Sequence, residues 1–414
     1  MTSLAIVNAH VVPVTGDPFD GSLVMEGTTI TALGPDVTIP DDAQIVDADG
    51  AWLTPGLVEA HGHVGIAEES HGWAGDDTNE SSEVNGARFR ALDAIHPTDE
   101  GFRDALSGGV TTIVVKPGSA NPIGGQTVAL KTWGRIVDEM VIRAPASIKS
   151  ALGENPKRIH GSDNNRLPKT RQGVAAVLRE AFTATRDHLA AKEHAEAEGK
   201  PYATDLTHEA LGLVLSGEIP WSQHCHRVDD IATAIRIADE FGYRLIIDHG
   251  TEAHLIADLL AERELPVVIG PLFTDRAKQE LQHRSLTNPG RLARAGVRLA
   301  LTTDAPVVPI ELLVVQAILA VKEGLDRDAA FRAITHGPAE IMGIGDRVGS
   351  LAEGKDADVV LWSGDPLEVA SRALRVWVDG REVHHYDPDT REGITLDPYA
   401  TLGTTVAGPQ RGRR

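Results

Sequence analysis

Cysteine is almost absent from this chain, which has one thiol, Cys225, in 414 residues. A single cysteine excludes an internal disulfide and fits a reducing compartment. The opening stretch MTSLAIVNAHVVPVTGD also lacks the basic segment and long apolar core of a secretion signal. We therefore expect a cytoplasmic protein.

Long apolar runs and an excess of basic charge are missing as well. The longest apolar run near the end, IELLVVQAILAV, contains Glu311 and Gln316 and falls short of the roughly 20 residues that span a bilayer. It predicts a buried helix. The chain has 39 basic and 60 acidic residues, which gives a formal net charge of −21. Such a surface repels phosphate backbones and anionic lipids, so we expect neither nucleic acid nor a membrane as partner.

The two ends of the chain have the texture of half-buried antiparallel sheet. Apolar and polar residues alternate up to residue 55, and the same texture returns in GSLAEGKDADVVLWSGD and RALRVWVDGREVHH, where VDG predicts a hairpin turn. We predict one small β-sandwich built from residues 1–55 and 345–395. Residues 396–414 are predicted to form a disordered tail.

The middle of the chain, residues 56–344, has a different pattern. Short runs rich in valine and isoleucine alternate with helical stretches such as DDIATAIRIADEFG. Strands that are apolar on both faces and separated by helices indicate a parallel sheet, and seven or eight such units predict a (β/α)8 TIM barrel. The alternative is a doubly wound open sheet, which the absence of a GxGxxG fingerprint after the first strand disfavours. The polar stretch 65–100 is expected to be a mobile loop or a lid.

Polar residues able to bind metals or move protons stand at the ends of five predicted strands. They are His61, His63, Lys149, His224, His226, Asp248, His249 and Asp304. Residues two apart in a strand point to the same side, so each HxH pair can bind one ion. Cys225 points the other way and is expected to be a buried apolar residue.

This set of residues resembles the metal-dependent amidohydrolase superfamily. The similar segments are PGLVEAHGH and the strand-end residues Lys149, His224, His249 and Asp304, in that order. LAEGKDADVVLW is similar to the family's returning segment G-x-x-A-D-x-V. VKPGSANPIGGQTVALK is closest in texture to the imidazolonepropionase-related branch, which includes dipeptidases and ring-opening enzymes. The resemblance extends from about residue 3 to 395.

The resemblance implies a binuclear centre acting on a small-molecule substrate. His61, His63 and Asp304 would bind one metal, and His224 and His249 the second. Lys149 would be carboxylated and bridge the two, which are expected to be zinc, with manganese, iron or cobalt as alternatives. Asp304 would take a proton from a metal-activated water and return it to the leaving nitrogen. The sequence leaves a homo-oligomer open.

Some assignments stay open at this level. His226 could replace His224 as the ligand, and otherwise it faces substrate. Glu154 could replace Lys149, since some relatives use a glutamate and one metal. However, SIKSALGENPKR resembles the isoaspartyl dipeptidase stretch VK-x-A-I-S-D, in which the lysine bridges and Glu154 would face substrate. We also expect Arg158 and the small-residue loop that contains Gly125 to contact substrate.

The predicted function is hydrolysis of a C–N bond in an amide, cyclic amide or dipeptide-like substrate. Glu59 stands where the family often has aspartate. Asp229 and Arg227 stand where deaminases usually carry a glutamate, which disfavours deamination. The alternatives are a mononuclear deaminase or imidazolonepropionase-type ring hydrolase with an ordinary Lys149, and a non-enzymatic binding relative.

Overall fold

The computed structural model describes residues 3–400, which form a mixed α/β fold. Its strands are β1 Ser3–Val11, β2 Phe19–Glu26, β3 Thr29–Gly34, β4 Gln44–Asp47, β5 Trp52–Pro55, β6 Leu57–Gly62, β7 Val110–Val115, β8 Ile123–Gln126, β9 Val128–Lys131, β10 Val141–Arg143, β11 Ile148–Ala151, β12 Trp221–Cys225, β13 Leu245–His249, β14 Val267–Ile269, β15 Leu299–Leu301, β16 Val359–Trp362, β17 Ala373–Val378, β18 Arg381–Asp387 and β19 Glu392–Thr395.

The α-helices lie mostly between the middle strands. They are α1 Glu100–Ser107, α2 Val137–Met140, α3 Glu154–Pro156, α4 Arg171–Ala197, α5 Leu206–Leu215, α6 Val228–Phe241, α7 Ala257–Glu262, α8 Asn288–Arg294, α9 Leu313–Lys322, α10 Arg327–Arg332 and α11 His336–Ile341. Short 3₁₀ turns occur at Gly72–Gly75, Ala91–Ala94, Ala253–Ile256, Gln279–Leu281 and Ile310–Leu312, and a π-helical turn at Lys157–Asp163. Within residues 3–400, no helix is both long and apolar enough to cross a membrane.

Both ends of the described chain join one nine-stranded sheet. Its order is β19-β18-β17-β16-β5-β1-β2-β3, with β4 also paired to β1. The early and late segments meet where β5 runs antiparallel to β16. The predicted VDG hairpin is confirmed: Asp379 (φ 47°) and Gly380 (φ 71°) turn the chain between β17 and β18. Positive φ at both turn residues matches the twist of the flanking strands.

The middle of the chain supplies two further sheets. One contains β10-β9-β7-β6, with β6 parallel to β7, and the other β15-β14-β13-β12-β11-β8, parallel from β11 to β15. Every residue of β6, β12 and β13 is buried, as expected for parallel strands covered on both faces.

Helix α6 illustrates how the sequence specifies the helices that pack on the parallel strands. Its buried residues Ile231, Ala234, Ile235 and Ala238 recur at helical spacing on one face. The helix ends at Gly242, whose left-handed φ of 77° suits a glycine after a helix terminus. This face packs against β12 and β13.

The last described residues are tied to the body of the protein. The Leu396 N–H donates to Val383 O (2.8 Å), and the hydroxyl of Tyr399 donates to Arg135 O (2.9 Å). Part of the predicted tail, residues 401–414, lies outside the described residues.

A buried cation joins the nine-stranded sheet to the middle of the chain. Lys131, on β9, lies 2.6 Å from the Asp358 carboxylate, 2.7 Å from Asp356 and 3.2 Å from Asp379. Burial alone would lower the pKa of Lys131, but the three carboxylates raise it well above its ordinary value. Two of these carboxylates belong to the returning segment GKDADVV.

Lys131→Met should therefore destabilise the protein by about 3–5 kcal/mol, since it leaves buried carboxylates without their shared counter-ion. Urea unfolding followed by circular dichroism measures the change. The control is Lys200→Met, on an exposed lysine, which should stay within about 0.5 kcal/mol of the wild type. Equal stability of the two variants would contradict this role of Lys131.

Candidate active site

The strand-end residues predicted from the sequence converge on one cavity of about 460 Å³. The cavity lies at the carboxyl ends of the parallel strands. Of the predicted residues, those that line it are His61, His63, Lys149, His224, His226, His249 and Asp304. Residues from the stretch 65–100, including Thr78 and Asn79, also line it, so this stretch forms part of the wall.

Three imidazoles are held with one nitrogen turned towards the cavity. The Nδ1–H of His63 donates to Lys116 O (2.7 Å), and that of His249 donates to Gly270 O (2.8 Å). His61 Nδ1 lies 3.2 Å from the Asp248 carboxylate. Because a carbonyl oxygen can only accept, the contacts of His63 and His249 place the proton on Nδ1 and leave Nε2 as the nitrogen that can bind a metal. His61 has a carboxylate near each ring nitrogen, Asp248 at Nδ1 and Asp304 at Nε2.

The Asp304 carboxylate faces the Nε2 atoms of His61 and His63. Its Oδ1 lies 3.3 Å from Nε2 of His61 and 3.3 Å from Nε2 of His63. A ligand atom of His249 falls within 4.8 Å of those of His61 and Asp304. Burial raises the pKa of Asp304, but the histidines around it outweigh burial and hold that pKa well below its usual range. Asp304 is therefore an anion within this histidine group.

Backbone strain marks two of these positions. His249 and Asp304 both have left-handed φ values, 70° and 54°. Such values are uncommon outside glycine and persist where the surroundings impose them, often at functional sites. His249 ends β13 and Asp304 lies three residues beyond β15, and both side chains line the cavity.

The second pair of histidines adjoins the first group. The ring centroid of His249 lies 4.5 Å from that of His224 and 5.0 Å from that of His226. Burial lowers the pKa of His224 and His226 well below the ordinary value, and the neighbouring His249 lowers both further. Both rings are neutral and can act as metal ligands. The resemblance assigns His249 to the second metal, whereas the structure sets it between the two groups.

Lys149 is buried beneath this arrangement. Its Nζ lies 3.1 Å from His61 Nε2 and donates to Asp248 Oδ2 (3.2 Å). The opposite oxygen of Asp248 accepts from Lys116 Nζ (2.9 Å), which also donates to Ser222 Oγ (2.7 Å). Burial lowers the pKa of Lys116 to about 8, although Asp248 opposes that shift. Asp248 thus links two buried lysines to His61.

The remaining predicted residues lie further from the cavity. Gly125 is in β8, paired with Lys149, where a Cβ would approach Phe89 O to 2.7 Å; it does not line the cavity. Glu154 and Arg158 line a neighbouring cleft, and Arg158 is exposed and 3.7 Å from Asp163. Cys225 is buried in the core, as expected.

Sequence reasoning missed Lys116 and Glu280, and it named Asp248 and Glu59 without giving either residue a role at the site. Glu59 accepts from His61 N (3.0 Å), Thr303 N (2.8 Å) and Thr303 Oγ1 (2.7 Å), and so ties β6 to the turn that carries Asp304. Lys116 and Asp248 end buried strands, a signal that was available. Glu280 stands in the polar stretch TDRAKQELQHR, which carries no such signal.

A solved structure decides the family. An amidohydrolase from Thermotoga maritima MSB8 shares 43% identity with this chain, with a TM-score of 0.90, and the match covers 92% of this chain and 100% of the other. The chain belongs to the amidohydrolase superfamily. A family model described as "Amidohydrolase family" also matches residues 208–384. The superfamily is generally metal-dependent, and residues 3–400 of this amidohydrolase contain two groups of side chains that could each hold a metal ion.

Curated relatives agree with this assignment. Amidohydrolase tasK from Hapsidospora irregularis is 31% identical over 87% of this chain, which spans only 39% of the length of that protein. An imidazolonepropionase from Rhizorhabdus wittichii is 25% identical, over 86% of this chain and 93% of its own length. This amidohydrolase is accordingly a hydrolytic enzyme.

Replacing Lys116 by methionine should destabilise the amidohydrolase by about 3–5 kcal/mol, because the Asp248 carboxylate loses one of its two lysines in a fully buried setting. Thermal and urea unfolding measure the loss. Adding Asp248→Asn should recover part of it, as expected of a coupled pair. Strict additivity of the two substitutions would contradict the coupling. Lys322→Met, at an exposed lysine, is the matched control.

Proposed function

We propose that this amidohydrolase is a metal-dependent hydrolase of a C–N bond in an amide, cyclic amide or dipeptide-like small molecule. The observation that carries the proposal is the histidine group around Asp304, in which Nδ1 of His63 and of His249 is bound to a backbone carbonyl and Nε2 of His61 and of His63 faces the Asp304 carboxylate. Neutral imidazole nitrogen and carboxylate oxygen are the donor types that divalent transition metals take in catalytic sites.

The donor set fits two divalent ions, with zinc as the first candidate. His61, His63 and Asp304 would hold one metal. His224 and His249 would hold the second, and a carboxylated Lys149 would bridge them. His224 supports this arrangement, because both of its ring nitrogens are buried without a hydrogen-bond partner in the protein. Such orphaned atoms are costly unless another group satisfies them.

The chemistry then divides between metal and protein. When bound, the metals would acidify a water molecule and polarise the scissile carbonyl. Asp304, whose pKa is held well below its usual range, would accept a proton from that water and later pass it to the leaving nitrogen. Lys278, Asn79 and Ser119 line the outer part of the cavity and would orient the substrate.

Lys149 fits its proposed role through Asp248. A carbamate on Nζ keeps one N–H, and the 3.2 Å contact to Asp248 Oδ2 would hold it. The oxygens of the carbamate would then be available to metals held by the histidines. Lys116 would balance the added negative charge.

The proposed architecture has two parts. Residues 56–344 form a (β/α)8 barrel, and both chain ends, residues 1–55 and 345–395, form a composite β-sandwich. Contacts between the edges of the two middle sheets support closure. Thr302 Oγ1, just beyond β15, donates to His61 O (2.7 Å) on β6. Continuous electron density for eight barrel strands in a crystal structure would test it.

A mononuclear ring hydrolase of the imidazolonepropionase type is the second candidate. The imidazolonepropionase relative favours it, and Lys149 would then remain an ammonium paired with Asp248. The number of metals separates the two candidates.

Metal removal and Asp304→Asn test the proposal on a panel of N-acyl amino acids, dipeptides and cyclic ureides. Chelation should abolish turnover of any panel substrate, and added zinc or manganese should restore it. Asp304→Asn should lower kcat by about 10²–10⁴-fold, because the proton acceptor is lost. Asp239→Asn, on the exposed face of α6, should not change kcat. Full activity after chelation, or in Asp304→Asn, would overturn the proposal.

Carboxylation of Lys149 has a direct spectroscopic readout. Metal-loaded protein prepared with ¹³C-bicarbonate should show a carbamate resonance in its ¹³C NMR spectrum, and Lys149→Gln should lack it. A wild-type spectrum identical to that of Lys149→Gln would favour the mononuclear enzyme.

A further inference from the structure

A buried carboxylate, Glu280, faces the second histidine pair from outside the strands. It sits in the 3₁₀ turn Gln279–Leu281, within the loop between β14 and α8. Its side chain has no exposed surface. Removing a carboxylate from water is costly unless cations or hydrogen-bond donors compensate for the lost solvation.

Only one of the two oxygens of the Glu280 carboxylate has a hydrogen-bond donor in the part of the chain that the structure describes. Glu280 Oε2 accepts from the Glu154 N–H (3.1 Å), whereas Oε1 has no hydrogen-bond partner. Across residues 3–400, no lysine or arginine forms an ion pair with it. The nearest basic nitrogens are Nε2 of His226 at 3.8 Å and Nε2 of His224 at 4.0 Å, both too distant for a hydrogen bond.

The two histidines near Glu280 also have ring nitrogens without a hydrogen-bond partner within the described chain. His224 lacks a partner on either nitrogen, and His226 Nδ1 contacts Thr251 Oγ1 (2.8 Å), which leaves its Nε2 free towards Glu280. The ligand atoms of His224, His226 and Glu280 all lie within 4.8 Å of one another. Three buried donors of the right chemistry therefore surround one point.

We propose that Glu280 and His226 join His224 as protein ligands of a divalent transition metal. The inference rests on the proposed metal-dependent function and deepens it: the second metal takes an anionic oxygen from a loop that follows β14. In a tetrahedral zinc site, ligand atoms about 2.0–2.1 Å from the ion lie roughly 3.3–3.5 Å apart. The observed separations of 3.8 and 4.0 Å need a closure of only a few tenths of an ångström.

Binding at this point has a structural consequence. The same loop supplies Thr274, Lys278 and Leu281 to the cavity wall. A metal bound by Glu280 would fasten this wall to β12, and His226 would be a ligand rather than a substrate contact. Metal affinity and the order of the loop are thereby coupled.

The experiment measures metal content and affinity of the full-length protein carrying Glu280→Gln, which keeps the shape and removes the charge. Zinc is loaded, excess is removed by dialysis, and content is read by plasma mass spectrometry and by competition with a chromophoric chelator. We expect wild type to bind two zinc ions per chain and Glu280→Gln to bind the second at least about 100-fold more weakly. Cobalt-loaded samples should differ in their visible absorption spectra.

The matched control is Glu252→Gln. Glu252 is also buried near this site, but its carboxylate accepts from Val228 N (2.9 Å) and contacts His283 Nδ1 (2.5 Å) instead of facing the cavity. It should keep both zinc ions. Hydrogen exchange in residues 272–286 should slow on adding zinc to the wild type and to Glu252→Gln, but not to Glu280→Gln.

Unchanged zinc content, affinity and cobalt spectrum in Glu280→Gln would overturn the inference and leave the proposed hydrolase intact. Wild-type protein that binds no zinc and has no metal-dependent activity would instead overturn the proposed function, and the inference with it. If Glu280→Gln does not fold by circular dichroism, His226→Gln serves as the second variant. Loss of the second zinc there supports the inference, and retention contradicts it.

Discussion

The site depends on buried acceptors that fix the tautomers of its histidines. Lys116 O and Gly270 O accept from Nδ1 of His63 and His249, so the Nε2 atoms of these two rings remain for the cavity, and His61 lies between the carboxylates of Asp248 and Asp304. Without these acceptors the rings could rotate or exchange protons, and a preformed set of nitrogen donors would not exist. The acceptors lie within strands or directly after them, as Asp248 does in β13, Lys116 after β7 and Gly270 after β14.

Side chains on the same strands explain how a charged carboxylate can be buried under the site. Asp248 is surrounded by Lys116, Lys149 and His61, which overcome burial and hold its pKa well below the usual range. Lys131 performs a comparable task elsewhere, between β9 and the returning segment. The protein thus places its buried ions in compensated groups, one under the site and one between its sheets. Glu280 differs from both groups, because its Oε1 has no hydrogen-bond partner among the described residues and faces two neutral histidines.

Much of this could be predicted from the sequence because it follows from periodicity. Two-residue spacing predicted that His61 and His63 share a side, and both indeed approach one oxygen of Asp304. Apolar runs located β12 and β13, and VDG located the hairpin at Asp379. The strand-end position of His249 and Asp304 brought them into one cavity, as a parallel sheet requires.

The parts that could not be predicted depend on contacts distant in sequence. Nothing in TDRAKQELQHR distinguishes Glu280 from the exposed charges around it, because its burial results from how the loop packs. Gly125 was expected to contact substrate as part of a small-residue loop, yet β8 pairs it with Lys149 in the sheet. Lys116 and its partner Asp248 are 132 residues apart in the sequence, so no local pattern indicates that they form an ion pair.

Anomalous X-ray diffraction at the zinc edge, from crystals of the zinc-loaded enzyme, tests the central claim most directly. The account predicts a peak about 2.0–2.2 Å from Nε2 of His61, Nε2 of His63 and a carboxylate oxygen of Asp304, with each Nδ1 still bound to its acceptor. A metal coordinated through Nδ1, or no anomalous peak in the cavity, would contradict it.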